Sequence, residues 1–204
     1  ILEKGHPDTL LLVEHPPVIT LGKRAKDENL LLGKAQLRSR GVDLVDVERG
    51  GDVTYHGPGQ LVAYPIFRIG AAVHDHVAQL AEAARQTCLE YGASPRWDEA
   101  RPGLWVGKAK IAAIGVHVHR GVSLHGLALN VNRTALEGFQ WIVPCGLRGV
   151  TLTCLQDAAA APLDIREVGL SLALHLGDTS GRGPFTFSKP LELFSRIGHV
   201  PSIL

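Results

Sequence analysis

No methionine occurs among the 204 residues and the first is Ile1, so an initiator and a few residues with it are expected to be missing. Long apolar runs are absent as well. Thr9-Leu10-Leu11-Leu12-Val13 stops at Glu14, far short of the ~18–20 residues that cross a bilayer, and no membrane association is expected. The N-terminus has no basic-then-apolar pattern, so no signal peptide is expected. Cysteine is scarce: Cys88, Cys145 and Cys154 are an odd number without CxxC spacing, which excludes a secreted disulfide framework. Charge of one sign is not in excess, with 21 Lys plus Arg against 20 Asp plus Glu and a net charge of +1. That balance argues against a dedicated nucleic-acid or membrane-surface binder. What is present is 45% hydrophobic and 20% charged, too apolar for disorder and of a length for one domain, residues 1–204. A reduced cytoplasmic enzyme is expected.

Strand and helix periods alternate without a linker. Thr9 to Glu14 and Val18 to Leu21 read as strands around Pro16-Pro17, Leu30 to Arg40 as a short helix, Val42 to Val47 and Gln60 to Arg68 as strands. Ala72 to Tyr91 is a helix with Val73, Val77, Leu80, Ala81, Ala84 and Cys88 on one face, ended by Gly92. Three strands follow, Gly103 to Gly107, Ala109 to His119 and Val122 to Val131, the last two joined at Arg120-Gly121. A further helix spans Asp164 to Leu176, with Asp164 and Glu167 as a capping-box pair and Gly177 as its C-cap. Strands in runs with a few helices predict an α+β fold with a mixed or antiparallel sheet and flanking helices.

The common nucleotide signatures are missing. Gly103-Leu104-Trp105-Val106-Gly107-Lys108 lacks P-loop spacing, Gly57-Pro58-Gly59 lacks the third glycine of a dinucleotide fingerprint, and there is no GxSxG elbow. Among 10 histidines, His117 and His119 share a strand face with His125 across the turn, and His74 and His76 repeat the spacing at a helix start. No Cys or acidic ligand accompanies them and Arg120 opposes a cation, so they read as exposed histidines rather than metal ligands. Cys88 sits on an apolar helix face and Cys154 in the strand-like Val150 to Leu155, both as small buried hydrophobes. Cys145 stands between Pro144 and Gly146, where spacing alone leaves nucleophile and packed thiol equally open. A reactive thiol needs a nearby cation or base, and Lys108, Lys110, His56 and His125 are the candidates.

The block from Arg49 to Pro65, RGGDVTYHGPGQLVAYP, resembles the signature of the lipoyl(octanoyl) transferases, the lipoate–protein ligase B family. Further blocks follow in that family's order: Leu12 to Gly22, Ala109 to Gly115, Ser123 to Asn132 and Pro144-Cys145-Gly146. The resemblance covers Thr9 to Asp157 and, more weakly, reaches Leu176. It implies a fold like the catalytic domain of biotin and lipoate ligases. It also implies transfer of an octanoyl group from octanoyl-acyl carrier protein to a lysine of lipoyl domains, on 2-oxoacid dehydrogenase E2 subunits or the glycine cleavage H protein. A monomer is expected, with no cofactor, no metal and no nucleic acid. Carried over by position, Cys145 holds the acyl group and Lys110 is its partner. Arg49, Gly50, Gly51, Asp52, Val53, Thr54, Tyr55 and His56 are implied to bind substrate, together with Ala113, Ile114, Gly115, Gly126, Leu127 and Ala128.

A thioester donor is already activated, so such a transfer needs no ATP, and an acyl-cysteine splits it into two easier steps. Lys110 can act as a cation beside the sulfur or as a base, and the sequence does not separate the two. Gly50, Gly51, Gly57, Gly59, Gly115 and Gly126 are expected to leave room for an acyl chain, whose seven carbons beyond the carbonyl, fully desolvated, contribute about 5–6 kcal/mol. Lys23, Arg24, Lys26 and Arg148 are the expected basic surface for an acidic carrier. The alternatives are an ATP-dependent lipoate ligase or lipoyl amidotransferase on the same fold, a catalytically silent binder, and a metal hydrolase on His117, His119 and His125.

Overall fold

The computed structural model describes residues 5–146, 149–186 and 202–203; Arg148 lies outside the described residues. The elements run β1 (Thr9–Glu14), β2 (Val18–Leu21), α1 (Lys34–Ser39), β3 (Asp43–Asp46), β4 (Val53–His56), β5 (Gln60–Ile66), α2 (Val73–Glu90), β6 (Arg96–Trp97), β7 (Leu104–Val106), β8 (Ala109–His119), β9 (Val122–Asn130), β10 (Thr151–Leu152), α3 (Leu155–Ala159), α4 (Ile165–Ser180) and β11 (Ser202–Ile203). Among the described residues, a large sheet has the order β11-β1-β5-β9-β8-β7-β6 with β10 also on β8, and a smaller one the order β3-β2-β4. Among the described residues, only the β2–β3 and β8–β10 pairings are parallel. The fold is α+β, as expected.

Each sheet buries its two faces differently, and the alternation along the strands shows how. On β5, Leu61 and Ala63 enter the core beneath α2 and α4, whereas Val62 and Tyr64 face the other way. On β9, Leu127 and Leu129 join that same helical core while Ala128 faces opposite. In the small sheet Ile19, Leu21, Val53 and Tyr55 pack with Leu37 and Ile142 into a second core. The remaining faces of the two sheets, carrying Val13, Val62 and Ala128 from one and Val18, Thr20, Thr54 and His56 from the other, line a cavity between them.

Several elements depart from the sequence reading. The segment expected as one helix from Leu30 is shorter, α1, preceded by a 3-10 turn at Asp27–Asn29. β4, which the glycine-rich block masked, is a strand antiparallel to β2. Cys154 precedes α3 instead of lying in a strand. On α2 the buried stripe is rotated: Val73 is 38% exposed and His76 is 1% exposed. Asp164 does cap α4 by accepting from the Arg166 N–H at 2.8 Å, but the helix runs through Gly177 to Ser180. Gly181, at φ 65°, provides the left-handed cap. Gly177 is glycine because a Cβ there would lie 2.9 Å from Gly183 Cα.

Candidate active site

The cavity between the sheets has a volume of about 420 Å3, within the range of small-molecule sites. Its walls are largely apolar, with Leu11, Val13, Val18, Val45, Val62 and Leu127, and a few polar groups converge on it. Of the residues assigned to substrate by resemblance, Arg49, Gly50, Gly51, Asp52, Thr54, His56, Ala113, Ile114, Gly115, Gly126, Leu127 and Ala128 line it, as does Lys110. Val53 and Tyr55 do not. Strand alternation turns them to the second core, where Tyr55 meets Phe139 edge-on at 5.6 Å between ring centroids. Gly57 is required by that same ring: a Cβ there would overlap the Tyr55 hydroxyl, so its role is to seat Tyr55, not an acyl chain.

Lys110 reaches the cavity through a break in alternation. Leu104 of β7 pairs with Ala112 of β8, yet the next β7 residue, Trp105, pairs with Lys110. One extra β8 residue, Ile111, is thereby accommodated and points into the helical core, and the bulge shifts Lys110 to the cavity face. The lysine is 4% exposed. Its ammonium donates to the Pro102 carbonyl at 2.8 Å and stands 5.6 Å from the centre of the Trp105 ring. Gly103, at φ 148°, is needed beside it, because a Cβ would overlap Lys110 Cε and come within 2.6 Å of the Ala112 carbonyl. Lys108, by contrast, is exposed in the β7–β8 turn.

The backbone of Pro144-Cys145-Gly146 forms a 3-10 turn. It is anchored by Val143 N–H to the Asn29 carbonyl at 2.8 Å and by Gly146 N–H to the Val143 carbonyl at 3.1 Å. Gly146, at φ 68°, is pressed so closely on Asp52 that a Cβ would lie 2.8 Å from its carboxylate. Asp52 also accepts from Asn29 Nδ2 at 2.6 Å, Lys26 N–H at 3.1 Å and Val53 N–H at 2.7 Å. One cavity-lining carboxylate thus seats the cysteine turn and the Lys26–Asn29 loop together. The Arg49 guanidinium donates to Thr20 Oγ1 and the Thr20 carbonyl, both at 2.8 Å, and Gly50 N–H holds the Val116 carbonyl of β8 at 3.2 Å.

Polar residues that the sequence reading left without a role converge here, His15, Thr20, Asp43 and Tyr64, together with His125, which it named only as a candidate thiol partner. His15 Nε2 and the Tyr64 hydroxyl share a hydrogen bond of 2.7 Å. The tautomer of His56 can be read from its neighbours. Asn130 Nδ2 donates to the Thr153 carbonyl, so Asn130 Oδ1 accepts from Gln60 Nε2, and Gln60 Oε1 faces His56 Nδ1 at 2.7 Å. Nδ1 therefore carries the proton and Nε2 the lone pair. Burial pushes the His56 pKa down to about 3, opposed by the Gln60 bond and aided by His15 and Arg49. Burial lowers His15 to about 4 and raises Tyr64 to about 12. All are neutral near pH 7.

The other histidines divide differently from expectation. His119 and His74 are exposed, but His117 is half-buried, accepting from Lys23 Nζ at 3.3 Å and facing Glu48 at 3.3 Å. His76 is buried in the helical core. Among the described residues no group of three His, Cys, Asp or Glu could hold a metal ion, and no helix is long and apolar enough to cross a membrane. Lys23, Arg24 and Lys26 are exposed on the loop after β2, which is tied by backbone bonds to residues 49–52 at the cavity wall.

Residues 1–177 match the family described as the lipoyl protein ligase A/B catalytic domain. The sequence is 45% identical to the octanoyltransferase of Caldicellulosiruptor saccharolyticus, over 85% of this chain and 76% of that one. It is 43% identical to the octanoyltransferase of Desulfotalea psychrophila, over 85% and 80%. In fold it is similar to a lipoate-protein ligase A bound with ATP, at 18% identity and a TM-score of 0.72, over 87% of this chain and 74% of that one. A biotin protein ligase of Aquifex aeolicus is also similar, at 14% identity and a TM-score of 0.53, over 81% and 70%.

Proposed function

The chain belongs to the lipoyl protein ligase A/B catalytic domain family, and we propose that it works as a cytoplasmic, single-domain octanoyltransferase through an acyl thioester on Cys145. Its activity is octanoyl transfer in lipoate biosynthesis, the activity its curated relatives are named for. The donor is octanoyl-acyl carrier protein and the acceptor is a lysine of a lipoyl domain. In the first step the Cys145 thiolate attacks the thioester carbonyl, a new C–S bond forms, and the carrier thiolate leaves and takes a proton. In the second the acceptor amine attacks the acyl-cysteine, the C–N bond forms, the C–S bond breaks, and the amine gives up a proton.

The observation that carries this reading is the bulge at Ile111, which directs a buried lysine into an apolar cavity whose wall residue Asp52 seats the cysteine turn. A buried ammonium lowers the cost of a nearby thiolate, and the apolar walls suit an alkyl chain. The exposed Lys23, Arg24 and Lys26 stand at the same wall, where an acidic carrier would present its acyl group.

The test is intact mass after mixing the protein with octanoyl carrier protein and no nucleotide. A gain of one octanoyl group is expected, lost in Cys145→Ser and kept in Cys88→Ser and Cys154→Ser, whose thiols are buried in packed settings. Full transfer by Cys145→Ser would end the covalent mechanism, and an absolute need for ATP would decide for a ligase.

A further inference from the structure

His125 breaks the alternation of β9 in a way that nothing in the transfer chemistry requires. Its opposite number on β8, Val116, packs on the helical core, as do Leu127 and Leu129 further along β9. Regular pleating would send His125 to that same core. Its backbone instead takes φ 61°, a left-handed conformation that residues other than glycine adopt only against a steric penalty. The turn brings the imidazole to the cavity face, edge-on to Tyr64 at 6.5 Å. Among the described residues neither ring nitrogen has a hydrogen-bond partner. A strained backbone that delivers an unpartnered polar group onto the wall of a largely apolar cavity calls for a purpose.

Its place along the cavity supplies one. The Lys110 side chain runs past Gly103 and Ala112 to the Pro102 carbonyl, so its ammonium stands near the level of Ala112 to Ala113. From there to Val116, opposite His125, is three to four strand residues, roughly 10–13 Å at about 3.3 Å each. An extended octanoyl chain has seven C–C bonds of about 1.5 Å, a zigzag of roughly 9 Å from the carbonyl carbon to the terminal methyl carbon. With the reacting carbonyl at Lys110, the last carbons therefore arrive at Gly115, Gly126 and the imidazole. Arg49 flanks the same spot, its Cδ 3.5 Å from where a Gly115 Cβ would be.

The geometry points to His125 as the residue that sets acyl chain length, a polar end wall that stops the tail at about eight carbons. A longer chain would press methylenes against an imidazole and strip its water with no hydrogen bond in return. This rests on the acyl-transfer reading above, with the carbonyl at Lys110 and Cys145.

The test is transfer from octanoyl, decanoyl and dodecanoyl carrier protein by wild type, His125→Gly and His125→Asn, with a melting temperature for each. Both replacements accept the left-handed backbone. Wild type should favour octanoyl over decanoyl by tenfold or more in kcat/KM. His125→Gly should raise the decanoyl-to-octanoyl ratio about tenfold, the worth of two buried methylenes, without a fall in melting temperature. His125→Asn, smaller but still polar, should fall between. An unchanged ratio in the glycine variant, equal loss at every length, or a wild type that does not discriminate overturns the proposal. Failure of the wild type to form any octanoyl adduct would overturn the acyl-transfer reading instead, so the two failures are distinguishable.

Discussion

A single buried side chain can be tested against its neighbours most sharply at Lys110. It and Lys108 are two residues apart, but only Lys110 is buried and cavity-facing. Lys110→Ala is expected to slow alkylation of Cys145 near neutral pH by tenfold or so, through a smaller thiolate fraction, and Lys108→Ala to change it less than twofold. Equal effects would count against a specific pair. His76 offers a second test, remote from the cavity. Both its ring nitrogens lack partners among the described residues, and burial, with Arg182 adding to it, lowers its pKa to about 4. The unfolded chain protonates this group near pH 6.5 while the fold holds it neutral to about pH 4. Its stabilising share is complete above pH 6.5 and is lost as the pH falls toward 4, about 3 kcal/mol over that window. His76→Leu should therefore flatten the acid limb of melting temperature against pH without lowering the neutral value. Superimposable acid limbs would show that His76 is protonated in the fold.

Among the elements, β8 and β9 carry the site, and the glycines between them are not equivalent. Gly115 and Gly126 pair across the two strands, and both are expected from the sequence to leave room for the acyl tail. At Gly126 packing against β5 forbids a side chain as well. A Cβ there would overlap the Ala63 carbonyl oxygen of β5 and lie 2.6 Å from Pro65 Cδ, so backbone must move before any side chain fits. At Gly115 the nearest atoms are the Gly50 carbonyl oxygen at 3.2 Å and Arg49 Cδ at 3.5 Å, on a loop that can give slightly. Gly126→Ala is expected to cost about 2–3 kcal/mol or more, as overpacking does, with transfer reduced at all chain lengths. Gly115→Ala should cost less than about 1.5 kcal/mol and depress octanoyl transfer more than hexanoyl. Denaturant midpoints and rates against chain length measure both.

Across the whole molecule the cavity separates two cores of unequal size. The helical core draws on β5, β8, β9, α2 and α4, whereas the small sheet rests on seven buried residues around Ile19 and Tyr55. Fewer buried apolar contacts mean a lower local opening free energy. Amide exchange should be slowest in β5, β8 and β9 and faster in β2 and β3, the edge strand. Octanoyl loading should protect β2 to β4 selectively, since Val18, Thr20, Thr54 and His56 line the cavity. Uniform protection across both sheets before loading would mean that they open as one unit.

The sequence by itself determined the α+β class, the positions of most strands and both long helices, and the family, because these depend on local periodicity, capping residues and contiguous motifs. Asp164 as a helix cap and Arg120-Gly121 as a turn needed no more than neighbouring residues to be legible. The alternation that sends Val53 and Tyr55 away from the cavity was implicit there too, but only once β4 was known to be a strand between two layers. Tertiary structure alone decided which face each site residue shows. The bulge at Ile111 and the left-handed backbone at His125 each reverse the side that strict alternation would assign, and both depend on pairing with strands remote in sequence. The same holds for Gly126, whose need for no side chain comes from a carbonyl more than sixty residues earlier in the chain. Long-range packing chooses among conformations that local sequence leaves nearly equal in free energy.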